Sequence, residues 1–419
     1  MTDPTSPVPA PVPAPIADLV ADFQALSAIG RDPDGGWSRP AFGPQDCAAH
    51  DWFLDRARAM GMTARLDAFG NAIARTPGEG TAVALGSHLD TVKNGGAYDG
   101  ALGVLAGLEI ARRALAKGEI ARPIEVIAFR DEEGRFGPFT GSRAMTGGFT
   151  PEDLAQKRGQ DGTPLVDAMT AAGFDPARVG EAGRDFADLH CYFELHIEQG
   201  RVLETRGDAV GLVTAIAGQE RFSIRFTGQP DHAGAAPMDM RRDAFACAAR
   251  FADRFRDMIL ADPSDTLRGT IGVIRLSPNQ ANVVPAEVRM ALEIRDTDAA
   301  GLARAAAATA KLVDQAGAAM GCETRLRPLY SEAPITLSPA LQAALASAAQ
   351  RQGIAASQLP SGANHDAGIL APRLPVAMVF VPSRDGRSHC PEEHTDWAPI
   401  AQAIAVLEDA VVQIAEQDL

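Results

Sequence analysis

The chain has 419 residues, 46% of them hydrophobic and 22% charged, and its 39 basic and 54 acidic side chains leave a formal charge of −15. That length exceeds what one hydrophobic core usually spans, so two domains are expected. A surface this acidic is unsuited to nucleic acid or anionic membranes, and no window of eighteen apolar residues provides a transmembrane helix. Five scattered cysteines without CxxC spacing (Cys47, Cys191, Cys247, Cys322 and Cys390) argue against a disulfide framework or a structural zinc knot, and point to a reducing cytoplasm.

In chain order, the first sixteen residues, MTDPTSPVPAPVPAPI, lack the basic and apolar regions of a secretory signal and read as an extended Pro-Ala tail. Helices are expected over 17–29 and 44–60, the second capped by Asp46 and ended by Gly61. A buried strand at 82–87 (AVALGS), an Ala/Leu-rich helix at 103–116 and a strand at 123–129 follow. This alternation predicts an α/β sheet with helices on its faces. Residues 221–226 (RFSIRF) alternate as a half-exposed strand does. A helix at 241–260, strands at 270–276 and 287–295, a helix at 299–318 and a strand at 323–328 complete a β-α-β-β-α-β order, the ferredoxin-like split pattern. Residues 215–330 therefore read as a module inserted into a domain made of 17–214 and 331–419, with hinges near 212–219 and 328–335. The α/β pattern resumes with a helix at 338–352, a strand at 376–381 and a helix at 398–416.

The chemistry concentrates in four segments that hold four of the eight histidines. In GSHLDTVKNGGAYDGALG (86–103), His88 and Asp90 lie two apart at a strand end, where the carboxylate can accept the outer N–H of a metal-bound imidazole. Asp99 follows in a Gly-rich loop, and its two oxygens could bridge two cations. The same segment would also serve as a polar loop with a capping aspartate. FRDEEGRFG (129–137) sits after a buried strand, where open α/β sheets place their sites. Of its paired Glu132 and Glu133, one can bind a metal while the other stands free as a base. FELHIEQGRVLE (193–204) carries His196 among alternating apolar residues, as a ligand or as a core histidine. SHCPEEHTDW (388–397) carries His389 and His394 in a Pro-containing loop, as a ligand donor or as a surface loop. Mixed imidazole and carboxylate donors suit zinc, manganese, cobalt or nickel rather than magnesium alone or a thiolate site. GxSxG, P-loop, HExxH and strand-placed GxGxxG motifs are all missing from the sequence.

From about residue 17 onward the sequence resembles the hydantoinase/carbamoylase amidases of the M20 metallopeptidase superfamily, which include N-carbamoyl-L-amino-acid hydrolases, β-ureidopropionases and allantoate amidohydrolases. Seven collinear stretches carry the resemblance: GSHLDTVKNGGAYDGALGVLAGLE, DEEGRFGPFTGSRAMTG, ELHIEQGRVLE, DHAGAAPMDMRRDA, NQANVVPAEVRMALEIRD, SGANHDAG and SHCPEEHT. It implies a mixed-sheet α/β catalytic domain with an inserted ferredoxin-like α+β lid and dimerisation domain. It also implies two divalent metal ions per subunit: His88 and His196 on one, Glu133 and His394 on the other, and Asp99 bridging. Glu132 would be the general base, Asp90 would orient His88, and His232 would polarise the scissile carbonyl. Asn282 and Arg295 would bind a substrate carboxylate, with Gln199 and the Gly362–Ala363 backbone lining the site. In such homodimers the His232 and Arg295 region can complete the neighbouring subunit's site. Peptidases of the superfamily usually place an acid where this chain has His196, so HIEQG favours the carbamoylase branch. Relatives commonly have Gly at the position of Asn364, and the Arg130–Asp131 pair before Glu132 also departs from common forms.

Overall fold

A computed structural model describes residues 16–118 and 121–417; the Pro-Ala segment, apart from Ile16, lies outside the described residues. The chain forms two compact units, one of Met1–Thr214, Leu337–Leu359 and His365–Leu419, the other of Ala215–Thr336 with Pro360–Asn364. The second unit thus runs six residues beyond the 330 expected from sequence. It also takes in a short excursion at 360–364 that no periodicity announces.

The first unit is built on a mixed sheet. Its strands are β1 (Thr63–Leu66), β2 (Ala72–Arg75), β3 (Ala82–His88), β4 (Ile124–Phe129), β5 (Leu189–Ile197) and β6 (Val210–Ile216), the last of which leaves the unit at Thr214. The sheet order runs β1-β2-β4-β3-β5, then a later strand at Val376–Val381, then β6. β3 pairs in parallel with β4 and β5, and β5 with Val376–Val381, whereas β1/β2 and β2/β4 are antiparallel. β3, β4 and Val376–Val381 are buried along their whole length, which accounts for their unbroken apolar sequences. The helix Ala101–Lys117 packs its Ala/Leu face on β3 and β4 and stops at Gly118, whose φ of +73° terminates it at no steric cost. The terminal helix Trp397–Ala415 is apolar enough to cross a membrane by composition, but half of its apolar window is buried inside the fold, as in a core helix. The helix Pro44–Ala59 starts with Pro44 after Gly43. Asp46 is not its side-chain cap, as sequence suggested, but a fully buried carboxylate that accepts the Phe42 N–H at 2.7 Å.

The second unit holds β7 (Gly218–Thr227), β8 (Arg268–Ser277), β9 (Glu287–Asp296) and β10 (Glu323–Glu332), antiparallel in the order β10-β7-β9-β8. Two helices, Ala244–Ala261 and Ala299–Met320, cover one face. Asp243 and Asp298 cap them by accepting two backbone N–H groups each. Phe222, Ile224, Phe226, Met290, Leu292 and Ile294 alternate into the core beneath these helices. This is the ferredoxin-like arrangement expected from the β-α-β-β-α-β order.

Candidate active site

Four neighbouring strand ends in the first unit bring the polar segments together. β3 ends on His88, β5 carries His196, β4 feeds the loop 130–137, and Val376–Val381 feeds the loop that follows it. His88 and His196 each turn Nδ1 to a backbone carbonyl, Asp90 O at 3.0 Å and Ile197 O at 2.9 Å. Nδ1 must then carry a proton, which leaves Nε2 as the nitrogen that could offer a lone pair to a metal ion. Both Nε2 atoms face the same oxygen: Asp99 Oδ1 lies 3.4 Å from His88 Nε2 and 3.2 Å from His196 Nε2. The other oxygen, Asp99 Oδ2, lies 3.3 Å from His389 Nε2, which is also 3.4 Å from Glu133 Oε2. Asp99 is therefore shared between two ligand sets, His88–Asp99–His196 and Asp99–Glu133–His389. Glu132 belongs to neither, and its Oε2 is 3.5 Å from His88 Nε2. Gln199 points at the same centre, donating its amide to Asp99 Oδ2 at 2.7 Å.

His394 is the expected metal ligand that the structure does not bring in. Its Nε2 lies 3.1 Å from Asp396, its ring packs edge-on against Tyr98 at 5.6 Å, and it is one-third exposed. The reason lies in the residue before it. Glu393 is buried against Gly96 and accepts the N–H groups of Tyr98 and Asp99 at 2.8 and 3.0 Å, which docks the loop with His394 on the Tyr98 side. His389, at a left-handed φ of +57°, takes the place assigned to His394. Gly96 and Gly100 are required by close approach: a Cβ at Gly96 would fall 2.0 Å from Glu393, and one at Gly100 2.4 Å from the His88 ring.

Asp90 also differs from expectation. Its carbonyl, not its carboxylate, takes the His88 N–H; the nearer carboxylate oxygen is 3.7 Å from Nδ1. The carboxylate accepts the backbone N–H groups of Glu132 and Glu133 instead, at 3.2 and 3.1 Å. Asp90 is thus a positioning residue for the tandem glutamates. The same loop is anchored by Arg130, which is 1% exposed, pairs with Asp46 at 2.9 Å, donates to Gly70 O and packs against the rings of Phe42 and Phe174. Burial opposes charge on Asp46, but Arg130 and His50 outweigh it and hold its carboxyl below the ordinary 3.8. A depressed pKa contributes stability that is complete above 3.8 and lost as pH falls through the folded value. Asp46→Ala is expected to cost about 3–5 kcal/mol at neutral pH, because it strands a buried guanidinium; a denaturant midpoint unchanged from the parent would contradict this.

Three residues that sequence reasoning left without a role line the same region. Glu194, two before His196 on one face of β5, accepts Ser87 Oγ at 2.8 Å and the Ala367 N–H at 2.9 Å. The His365 ring lies 4.6 Å from His196. Asp366 is fully buried beside them, and burial, then Glu194, push its carboxyl up to about 8. SGANHDAG and the period-two spacing of ELH were the available signals.

Carboxylates outnumber imidazoles here, and the titrations reflect it. Burial opposes charge on His88, but Glu132, Asp99 and Asp90 outweigh it and hold His88 well above its usual pKa. Burial likewise opposes charge on Asp99, yet His196, His389 and His88 hold it well below the carboxylate range. Burial pushes Glu132 well above that range, and Glu133, Asp366 and Asp99 add to it against the pull of His88. Glu133 rises to about 7 through burial and Asp99, and His389 to about 9 through its hydrogen bond to Asp99. His88 Nε2 is buried without a hydrogen-bond partner. An orphaned imidazole nitrogen among excess carboxylates, with no thiolate in either ligand set, fits a divalent transition ion.

Residues 84–413 match the model of peptidase family M20/M25/M40, and the chain belongs to that family. It is accordingly a hydrolase. It is 39% identical to an N-carbamoyl-L-amino acid amidohydrolase of Geobacillus stearothermophilus, over 93% of this chain and 96% of that one. It is 35% identical to an allantoate amidohydrolase of Escherichia coli K12, over 94% and 96%. Among solved structures it resembles a hydantoinase/carbamoylase family amidase from Burkholderia multivorans, with a TM-score of 0.87, 36% identity and 96% and 98% coverage.

Proposed function

We propose that the protein is a two-metal amidohydrolase that cleaves the carbamoyl C–N bond of an N-carbamoyl-L-amino acid or related ureido acid, releasing ammonia and carbon dioxide. The observation that carries this reading is the division of Asp99, with one oxygen facing His88 and His196 and the other facing His389, which also meets Glu133, while Glu132 stays outside both sets. His88, His196 and Asp99 would hold one ion, Asp99, Glu133 and His389 the other, with zinc, manganese, cobalt or nickel suited to the donors. Bound there, the ions would acidify a water and offset negative charge on the scissile carbonyl oxygen.

Glu132 would take a proton from the attacking water and return it to the departing nitrogen, the general-base role suited to a carboxylate beside but outside the ligand sets. Asp90 keeps Glu132 and Glu133 apart in aim by holding both their backbone amides. The cytoplasm is the proposed location, in keeping with five unpaired cysteines. Allantoate is the alternative substrate, since both kinds of curated relative lie at similar identity. An aminoacylase or dipeptidase would be expected to carry an acid at His196. Turnover of carbamoyl, allantoate, acyl and dipeptide substrates with added Mn, Co, Ni or Zn tests these readings. Hydrolysis confined to the acyl or dipeptide substrates would overturn the proposal.

The second unit would act as a lid. His232 and Asn282 lie side by side, with Ala233 N–H donating to Asn282 O at 2.9 Å and His232 bridged to Val283. Both are near the start of β9. Arg295 is at its far end, where it pairs with Glu293 and donates to the Gly362 carbonyl at 2.7 Å. Eight strand steps from Glu287 to Arg295 span about 27 Å, farther than one ureido acid reaches. The three residues can therefore serve one substrate only if Arg295 comes from one subunit and His232 with Asn282 from a homodimeric partner. The outer strand β8, with Val273 and Ile274 about half exposed, is a suitable edge for that pairing. Two inactive variants, His232→Ala and Arg295→Ala, are expected to regain about a quarter of the parent activity when coexpressed, because half of the dimers would hold one intact site. No recovery from heterodimers shown to have assembled would refute the sharing.

A further inference from the structure

We propose that the open face of the β10-β7-β9-β8 sheet is an anion-collecting surface that concentrates the substrate carboxylate near His232, Asn282 and Arg295. This rests on the ureido-acid reading and adds to it a surface that the catalytic residues do not require.

The strand register carries the argument. Arg325 lies opposite Arg225, Arg225 opposite Arg289, and Arg289 opposite Arg275. Four arginines thus form one row across all four strands. Their neighbours along each strand (Leu326, Ile224, Phe226, Val288, Met290 and Leu276) pack into the helix-covered core, so the row stands on the other face. Arg275, Arg289 and Arg325 are exposed and Arg225 is partly so; the side chains of Arg225 and Arg289 are 43% and 57% exposed. Among the described residues the row pairs with one carboxylate, Glu287, at 3.5 Å from Arg225 and 2.6 Å from Arg289.

Like charges set directly opposite one another destabilise a sheet, and nothing in the packing beneath needs guanidinium groups on top. The wider charge distribution points the same way. Between Ala215 and Thr336, fifteen basic residues balance fifteen acidic ones, so the entire charge of −15 belongs to the rest of the chain. A cationic face on an otherwise anionic molecule localises small anions where the field is favourable, while the net charge repels polyanions. Guanidinium forks match a carboxylate. The row stands between the His232–Asn282 end of the face and the Arg295 end, within the lid's own sheet.

The test is the triple variant Arg275→Gln/Arg289→Gln/Arg325→Gln of the full-length, metal-loaded protein, none of these three being an assigned binding residue. At about 10 mM ionic strength, KM for a ureido acid is expected to rise about 3- to 10-fold with kcat unchanged. The difference should close near 0.5 M salt, where the screening length is a few ångströms. A carbamoyl amino-acid amide, lacking the carboxylate, should show no KM change, and Tm should be equal to or above the parent's once the repulsion is gone. An unchanged low-salt KM, a difference that survives high salt, an equal effect on the uncharged amide, or a lowered Tm would each overturn the proposal. Failure of the parent protein to hydrolyse any ureido acid would instead overturn the functional reading on which it rests.

Discussion

His389→Ala is expected to remove one divalent ion per chain and to lower turnover by about 10²-fold or more, whereas His394→Ala should keep both ions and most of the activity. Losing a residue that merely orients a ligand costs about 10- to 100-fold in affinity or activity; losing a ligand should cost at least that much. His389 Nε2 reaches both Asp99 and Glu133. His394 is tied to Tyr98 and Asp396, so its removal touches the loop and not the ligand sets. Metal content by elemental analysis beside kcat decides the matter. If His394→Ala lost the ion and His389→Ala kept it, the assignment would be reversed.

The choice between these two histidines marks where sequence reasoning ends. SHCPEEHT offers two imidazoles five residues apart in a loop without periodicity, and spacing alone favours neither. The decision is made by Glu393, whose carboxylate is spent on the amides of Tyr98 and Asp99, nearly three hundred positions upstream. The contact Asp90 makes with His88 is undecided by sequence for a similar reason. A His-x-Asp spacing correctly predicts proximity, but it does not say whether the carbonyl or the carboxylate takes the imidazole N–H. By contrast, the architecture was legible because it rests on repeated local signals. Continuous apolar runs marked β3, β4 and Val376–Val381, and alternation in RFSIRF marked β7. The β-α-β-β-α-β order then led to the antiparallel β10-β7-β9-β8 sheet. The excursion of Pro360–Asn364 into the second unit has no such signal; Arg295 holds the Gly362 carbonyl and Asn364 donates to Glu332 at 3.1 Å, contacts between residues far apart in sequence.

Glu132→Gln is expected to leave both ions bound and to lower kcat by about 10²–10⁴-fold, the range a positioned general base contributes. The substitution is nearly isosteric, and the backbone of the residue is fixed by Asp90 and not by its own side chain, so the loop should persist. Glutamine also removes a carboxylate from a pocket where burial already disfavours charge and Glu133, Asp366 and Asp99 add repulsion, so folding stability should hold or rise. That combination separates a base from a ligand. A ligand mutant loses metal and activity together, whereas loss of the base lowers kcat while metal content, substrate KM and the thermal midpoint stay near the parent's. A change at Asp90, as in Asp90→Asn, should weaken catalysis by letting Glu132 and Glu133 drift, and should disturb metal content as well because Glu133 is a proposed ligand. Near-parental turnover in Glu132→Gln with full metal content would remove Glu132 as the base, leaving the water to be activated by the ions and Asp99 alone.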